Sequence, residues 1–251
     1  MKTTSTKNWD SDELKDIVRK LYGPEYCQQS NVYIDSFWHK IFAAWMNRDE
    51  AIAIMDDLVP QGPTFLDNDY MQALDYHFKS CNDKTQKADL DYKKRHIETH
   101  ILAYAVSLYS ASDVMGQILA SSFNVRSSIE SNKIYLGSIC DALSKNKFGK
   151  KVIRKINKLF KLKSFQHLKA FINTEKHVSH INIPYSFLAV IPDTSRSHGM
   201  KIEGFVRDEH TYEEKWARDF INVDFIEIFN CYSEIGNEIN IELTPRCAFY
   251  I

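Results

Sequence analysis

Apolar residues in the middle of the chain recur with the spacing of a packed helix. Seven of them are separated by alternating steps of four and three residues: Ile97, Ile101, Tyr104, Leu108, Ala111, Met115 and Ile118. This spacing places all seven side chains along one face of an α-helix, as in the seam of a helical bundle. The pattern predicts one long helix that starts near Lys84 and ends at about Ser122.

Shorter amphipathic segments on both sides of this helix predict further helices. Before it, helices are expected in residues 12–23, 32–47, 49–59 and 64–81. The first has Ser11 as its N-cap, and a break near Asn47 separates the second from the third. After the long helix, helical spacing recurs in residues 127–143, 150–162, 164–177 and 212–243. The sequence therefore predicts a mainly α protein, built as an antiparallel helical bundle.

The pattern changes after His177. Two β-favouring runs, "IPYSFLAVIP" and "MKIEGFV", flank the turn-rich stretch "DTSRSHG". They predict one β-hairpin inserted near the C-terminus, at about residues 184–206. Because short helices precede residue 83 and long helices follow it, we expect an N-terminal helical region at 1–83. The helical bundle with its hairpin is then expected at 84–251.

Composition favours a helical protein without disulfide bonds or a membrane segment. The 251 residues include only 8 Gly and 6 Pro, which favours helices over a loop-rich or repetitive β design. The five cysteines lie far apart without a C-x-x-C pair, so we expect neither a disulfide framework nor a zinc site. We also expect no other metal site and no cofactor. The N-terminus is polar, and polar residues interrupt the longest apolar stretch. These features predict a cytoplasmic protein without a membrane segment.

Positive charge is concentrated in one segment. Residues 142–174 contain ten Lys or Arg and no Asp or Glu, although the whole chain has a net charge of −1. The candidate nucleic-acid-binding residues in this segment are Lys147, Lys150, Lys151, Arg154, Lys155, Lys158 and Lys161. Such segregation creates a local positive field that suits phosphate binding, with RNA as the expected ligand. A solvated helix face accounts for the same pattern, and both interpretations stay open.

Two short motifs carry side chains suited to acid–base chemistry. The candidate catalytic residues are Arg95, His96 and His100 in "RHIETH" and Asn173, Lys176 and His177 in "INTEKH". Imidazole titrates near neutral pH and can accept or donate a proton. Ordinary structural roles remain alternatives. The two histidines of RHIETH lack a third metal ligand and suit a polar helix face. The lysine and histidine of INTEKH suit the negative end of a helix dipole.

The order of these segments resembles the HEPN superfamily of helical bundles. The resemblance rests on the long helix "HILAYAVSLYSASDVMGQILASSFN", the N-x-x-K-H of "FINTEKH", the hairpin and a last helix with "EIGNEIN". It covers roughly residues 84–243 and implies a dimer that cleaves RNA without a metal. Two histidines, one from each subunit, would transfer protons at the ribose 2′-hydroxyl and the departing 5′-oxygen. An arginine would stabilise the charge on the phosphate.

Each motif departs from the family pattern, in which a polar residue often follows an arginine and a histidine lies four to six residues beyond that arginine. INTEKH lies where the family carries its motif, but Ile172 takes the place of the arginine and Lys176 offers the available positive charge. RHIETH has every residue type, but Arg95 and His100 lie five residues apart, about 140° around a helix. The sequence does not decide which of the two motifs forms the catalytic centre.

The first function that these features predict is a toxin-type or anti-phage endoribonuclease that acts as a homodimer. A non-catalytic RNA- or protein-binding module of the same fold is the alternative, and the missing arginine favours it. An assembly subunit of a multi-protein defence system is a third interpretation. A protein partner or a neutralising antitoxin is compatible with these functions.

Overall fold

The computed structural model describes residues 8–58, 68–130, 133–145, 149–187 and 198–247. Helices account for most of this part of the chain, which confirms the predicted mainly α class with a small antiparallel sheet. The helices are α1 (Ser11–Tyr22), α2 (Pro24–Leu58), α3 (Asn68–Asn82), α4 (Lys84–Ser122), α5 (Leu136–Lys145), α6 (Lys150–Lys161), α7 (Lys163–His177) and α8 (Ala217–Cys247). Within the described residues, no helix combines the length and the apolar character that a membrane crossing requires.

The chain divides into two compact units. The first unit comprises Met1–Phe42, Ser107–Leu168 and Asp224–Ile251, and the second comprises Ala43–Val106 and Lys169–Val223. Both units contain residues from before and after position 83. Helix α6 belongs to the first unit, and both histidine motifs belong to the second.

Helix α4 has the buried face that its sequence predicts. All seven apolar residues of the repeat have 0% of their surface exposed. In the second unit, the Tyr104 hydroxyl donates a hydrogen bond of 3.1 Å to the carbonyl of Phe220. In the first unit, the Tyr232 hydroxyl donates one of 3.0 Å to the carbonyl of Leu108. Because full burial of one large aliphatic side chain stabilises a fold by roughly 1.5–3 kcal/mol, this face is a main source of stability in both units.

Helix α2 is longer than the sequence predicts. The expected break near Asn47 is wrong, since one helix runs through Pro24–Leu58. The Asn47 side chain donates a hydrogen bond of 2.8 Å to the carbonyl of Ala43 one turn earlier, so it bonds within the helix and does not form a turn. The N-cap of α1 also differs from the prediction. The carboxylate of Asp10, and not Ser11, accepts a hydrogen bond of 2.9 Å from an amide of the first turn.

Within the described residues, the predicted hairpin is one of three antiparallel strand pairings. Strand β1 (Tyr185–Phe187) pairs with β2 (His198–Ile202), and residues 188–197 of the predicted hairpin lie outside the described residues. Strand β5 (Lys215–Trp216) pairs with the other edge of β2, which gives the order β1-β2-β5. Strands β3 (Phe205–Arg207) and β4 (His210–Tyr212) form a second hairpin. The prediction of a single hairpin is therefore incomplete.

The second hairpin escaped prediction because of the residues in its turn. Asp208 and Glu209 have φ angles of 50° and 63°, whereas tight hairpin turns with two positive φ angles usually contain Asn-Gly or Asp-Gly. Since β4 and β5 take up residues of the predicted last helix, α8 begins at Ala217 and not at residue 212. The helix predicted at 127–143 is also replaced, by a 3₁₀ turn at Arg126–Ser128 and by α5.

In the first unit, Trp9 anchors the N-terminal segment in the core. The side chain is 4% exposed, and its ring centroid lies 5.5 Å from that of Phe37 and 5.9 Å from that of Trp38. Gly236 of α8 leaves room for the indole, because a Cβ atom added at this position would lie 2.3 Å from Cδ2 of Trp9. Side chains do not pack this closely, so position 236 requires glycine.

We expect Gly236→Ala to destabilise the protein, because the added methyl group displaces the Trp9 ring. Overpacking of a core typically costs about 1–3 kcal/mol, and urea unfolding followed by tryptophan fluorescence measures the change. Gly137→Ala is the matched control, since its Cβ would meet only the exposed Tyr135 ring, at 3.2 Å. Alanine is also the better helix former there, by about 1 kcal/mol. Equal stabilities of the two variants would contradict the tight contact at Trp9.

In the second unit, a cluster of aromatic and imidazole rings packs α3 against β1 and β2. The His77 ring lies 4.3 Å from that of Tyr185 and 5.4 Å from that of Phe187. The Tyr185 hydroxyl and His198 Nδ1 share a hydrogen bond of 2.7 Å. Burial lowers the pKa of His77 to about 4, and the nearby positive charges of Lys94 and His198 act in the same direction. His77 is therefore neutral at pH 7.

The neutral state of His77 should make the stability of the fold depend on pH. Its folded-state pKa of about 4 lies below the ordinary value of 6.5, so the fold favours the neutral ring. This contribution to the free energy of unfolding is complete above pH 6.5 and is lost as the pH falls from about 6.5 to about 4. One titrating group can change the free energy of unfolding by at most about 1.4 kcal/mol per pH unit. Because solvent screens the half-buried ring, we expect the loss from His77 to be smaller than this maximum.

Urea unfolding at about pH 7 and at about pH 5 measures this effect. We expect His77→Phe to lose less stability than the wild type over this interval, because phenylalanine keeps an aromatic ring and binds no proton. His96→Phe replaces an exposed histidine of the same unit and should follow the wild type. Equal losses in all three proteins would show that His77 does not carry the pH dependence.

Candidate nucleic-acid interface and histidine motifs

Helix α6 presents a charged face because its apolar residues are buried on the opposite side. The helix buries Val152, Ile156 and Leu159, which follow one another at helical spacing on one stripe. The basic side chains that remain exposed on this helix are Lys150, Lys151, Arg154, Lys158 and Lys161. Gly149 precedes the helix with a φ of 67°, a left-handed conformation that glycine adopts without strain.

An open groove of about 750 Å³ lies on this face. It is lined by Lys150, Ile153, Arg154, Asn157, Lys158, Lys161 and Leu162. The four cations follow one another at steps of four, four and three residues, so they form one row along the helix. The half-buried side chains of Ile153 and Leu162 add an apolar component to the groove.

Two of the six cations of α6 pair with a carboxylate in the described part of the chain, and four do not. The carboxylate of Glu234 in α8 binds Lys155 Nζ at 3.1 Å and Lys158 Nζ at 2.7 Å. Glu242 of α8 accepts a hydrogen bond of 2.8 Å from a backbone amide at the N-terminal end of α6, where the helix dipole favours negative charge. In the part of the chain that the structure describes, no carboxylate pairs with the side chains of Lys150, Lys151, Arg154 or Lys161.

The ion pairs of Glu234 stabilise its charged form. Burial opposes the ionisation of Glu234, but hydrogen bonds from Lys158 and Lys155 outweigh burial and lower its pKa. The hydrogen bond with Glu234 in turn raises the pKa of Lys158. Glu234 and Lys158 are therefore both charged near neutral pH. Lys147, the remaining candidate of this segment, lies outside the described residues.

In RHIETH, a residue of α2 orients one of the two histidines. His100 Nδ1 lies 2.9 Å from the side-chain oxygen of Asn47. The amide nitrogen of Asn47 already donates to Ala43, so its oxygen faces His100 and the proton of the neutral ring is on Nδ1. The Nε2 lone pair of His100 is then available as a proton acceptor.

The other two candidates of RHIETH are exposed on α4. The His96 ring lies 4.2 Å from that of Tyr92 and 6.4 Å from that of His100. Arg95 lies in a continuous helix, so its side chain and that of His100 project about 140° apart. Among the described residues, no group of three or more His, Cys, Asp or Glu side chains is placed to hold a metal ion.

INTEKH forms the C-terminal end of α7. Lys176 and His177 are exposed there, and Asn173 is half-buried. Nη1 of Arg207 in β3 donates a hydrogen bond of 3.4 Å to the Asn173 carbonyl. A guanidinium group therefore lies at this helix end, where a cation suits the helix dipole. Sequence reasoning missed Arg207, because it belongs to the hairpin that the sequence did not predict.

The structure does not bring the two motifs into contact. Both belong to the second unit, but within the described ranges no hydrogen bond, ion pair or ring contact links RHIETH to INTEKH. Each motif is instead tied to a residue outside the predicted set, Asn47 for RHIETH and Arg207 for INTEKH. No spacing in the sequence signals either contact, since each joins two elements that are distant along the chain.

Comparison with known proteins does not place the chain in a family. No protein-family model matches the sequence, and neither a curated protein nor a solved structure matches it.

Proposed function

We propose that this chain is an HEPN-like RNA-binding protein that contacts the phosphate backbone through the exposed face of α6. The observation that carries the proposal is a set of exposed cations that have no acidic partner among the described residues: Lys150, Lys151, Arg154 and Lys161. Three of them line the open groove, about one or two helical turns apart. Each contact between such a cation and a phosphate releases condensed counterions, which favours binding at low salt.

The distribution of charge supports binding over mere solubility. Solvated protein surfaces usually mix both signs of charge. Here residues 142–174 contain ten basic and no acidic residues, so the remainder of the chain has a net charge of about −11. All five cysteines are free thiols, which is consistent with the reducing cytoplasm that we propose as the location of the protein.

We expect the triple variant Lys150→Gln, Arg154→Gln, Lys161→Gln to bind single-stranded RNA at least about tenfold more weakly at low salt. Each lost phosphate contact should reduce the slope of log K against log salt by about 0.7, so the slope should fall by about 2. Fluorescence anisotropy of a labelled oligouridylate over a series of salt concentrations measures both quantities.

The matched control removes three positive charges from other positions of the first unit, with Arg19→Gln, Lys20→Gln and Lys133→Gln. All three side chains are exposed, and two of them pair with a neighbouring carboxylate. We expect the control to bind RNA within about twofold of the wild type. A loss as large as that of the α6 variant would point to net charge alone and contradict a defined interface.

A second candidate function is metal-independent RNA cleavage by a homodimer, as in a toxin or anti-phage ribonuclease. The hydrogen bond between Asn47 and His100 favours it, because it leaves Nε2 free to accept a proton. In this proposal, Nε2 accepts the proton of a ribose 2′-hydroxyl and the 2′-oxygen attacks the phosphorus. His100 of the second subunit acts in its imidazolium form and donates its Nε2 proton to the departing 5′-oxygen as the bond between phosphorus and this oxygen breaks. A protein partner or an antitoxin would control this activity.

Cleavage of single-stranded RNA in the presence of EDTA tests this second function. We expect His100→Ala to abolish cleavage and Asn47→Ala to slow it by about tenfold or more, since the orienting hydrogen bond is lost. Product formation is followed by gel electrophoresis of an end-labelled RNA. Full activity in His100→Ala together with loss in His177→Ala would place the reaction at INTEKH. RNA binding without cleavage in the wild type would leave a binding module only.

A further inference from the structure

We propose that Lys155 and Lys158 form a phosphate subsite on α6 that the carboxylate of Glu234 occupies in the free protein. This inference rests on the proposed RNA-binding function and adds an internal competitor to it. The ligand of the subsite is a phosphodiester group of a single-stranded RNA backbone, which binds when Glu234 gives up its two lysines.

The geometry of the three side chains resembles the binding of an anion by two cations. Lys158 Nζ lies 2.7 Å from one carboxylate oxygen of Glu234 and 2.9 Å from the other. Lys155 Nζ lies 3.1 Å from the second oxygen. The two ammonium groups therefore converge on one anionic group with two oxygens, and a phosphodiester also presents two charged oxygens. Because both lysines meet one carboxylate, we expect them to meet one phosphate.

The ion pairs are exposed enough to be exchanged. The side chain of Lys158 is 55% exposed and that of Lys155 is 35% exposed, and Glu234 between them keeps 21% of its surface accessible. An exposed ion pair is favoured over its separated side chains by less than about tenfold, so another anion can displace the carboxylate. A lysine ammonium group also moves on a flexible four-carbon stem, so both groups can turn toward a new anion without a change in the helix.

The position of the subsite fits a ligand with several phosphates. Lys158 lies in the same row as Arg154 and Lys161, which line the same groove and have no acidic partner among the described residues. A nucleic acid can first bind these free cations and then compete with Glu234 from a short distance. A single phosphate has no such additional contacts and competes less well with Glu234. The surface should therefore bind polyanions in preference to small phosphates.

The experiment compares Glu234→Gln with the wild type in binding a labelled oligouridylate at several salt concentrations. Glutamine keeps the shape of the side chain and removes its charge. We expect about three- to tenfold tighter binding at low salt, because a repelling charge is lost and two lysines are released. The slope of log K against log salt should become steeper by about 0.7, which corresponds to one additional phosphate contact.

Glu238→Gln is the matched control. It makes the same change in charge one turn further along α8, at a half-buried glutamate with no lysine partner in the described part of the chain. Thermal unfolding of each variant confirms that it is folded. We expect this control to bind within about twofold of the wild type. An equal gain in both variants would overturn the subsite in favour of a general effect of net charge.

A double-mutant cycle assigns the gain to the two lysines. Replacement of Lys155 and Lys158 by alanine should remove the gain in affinity that Glu234→Gln produces. Persistence of the gain without these lysines would overturn the subsite. Tight binding by Glu234→Gln alone would support it even if the wild type bound no RNA.

The failure of this inference is distinguishable from failure of the proposed function. If wild-type binding depends on Lys150, Arg154 and Lys161 but Glu234→Gln leaves it unchanged, only the subsite is wrong. If neither the wild type nor Glu234→Gln binds RNA, both the subsite and the RNA-binding function are wrong.

Discussion

The burial of one apolar stripe on each amphipathic helix determines where the polar groups of this protein lie. In α4 the stripe is fully buried over seven residues, from Ile97 to Ile118, and the charged residues of RHIETH fall on the sides of the helix that remain accessible. In α6 the same requirement buries Val152, Ile156 and Leu159. The lysines between them therefore lie on the outer face, because burial of an unpaired ammonium group costs far more free energy than packing of the helix provides.

The outer face of α6 is shaped further by two glutamates of α8. Glu242 accepts a hydrogen bond from the first turn of α6, and Glu234 holds two of its lysines. Each of these partly exposed contacts contributes about 1 kcal/mol, so they position the helix and its side chains more than they stabilise the fold. Among the described residues, Glu234 also divides the cations of α6 into two that pair with a carboxylate and four that do not, and the proposed RNA interface depends on this division.

The sequence predicts what depends on local periodicity and misses what depends on contacts between distant elements. The seven-residue repeat predicts α4 within the bounds that the structure shows, since a buried helix face leaves a regular signal in the sequence. The turn at Asp208 and Glu209 leaves no such signal, and Asn47 resembles a helix breaker until its bond to Ala43 is known. The pairing of Glu234 with Lys155 spans 79 residues, so the basic segment alone predicts the charge of the site and not its pattern.

The same distinction applies to the two histidine motifs. INTEKH has the position along the chain that the family resemblance favours, but His177 has no hydrogen-bond partner among the described residues. RHIETH lies earlier in the chain, yet Asn47 fixes the orientation and the protonated nitrogen of His100. General acid–base catalysis needs an imidazole that is held in one orientation, because proton transfer requires a short and aligned contact. For the RNA cleavage proposed above, the contact between Asn47 of α2 and His100 of α4 therefore favours His100 over His177.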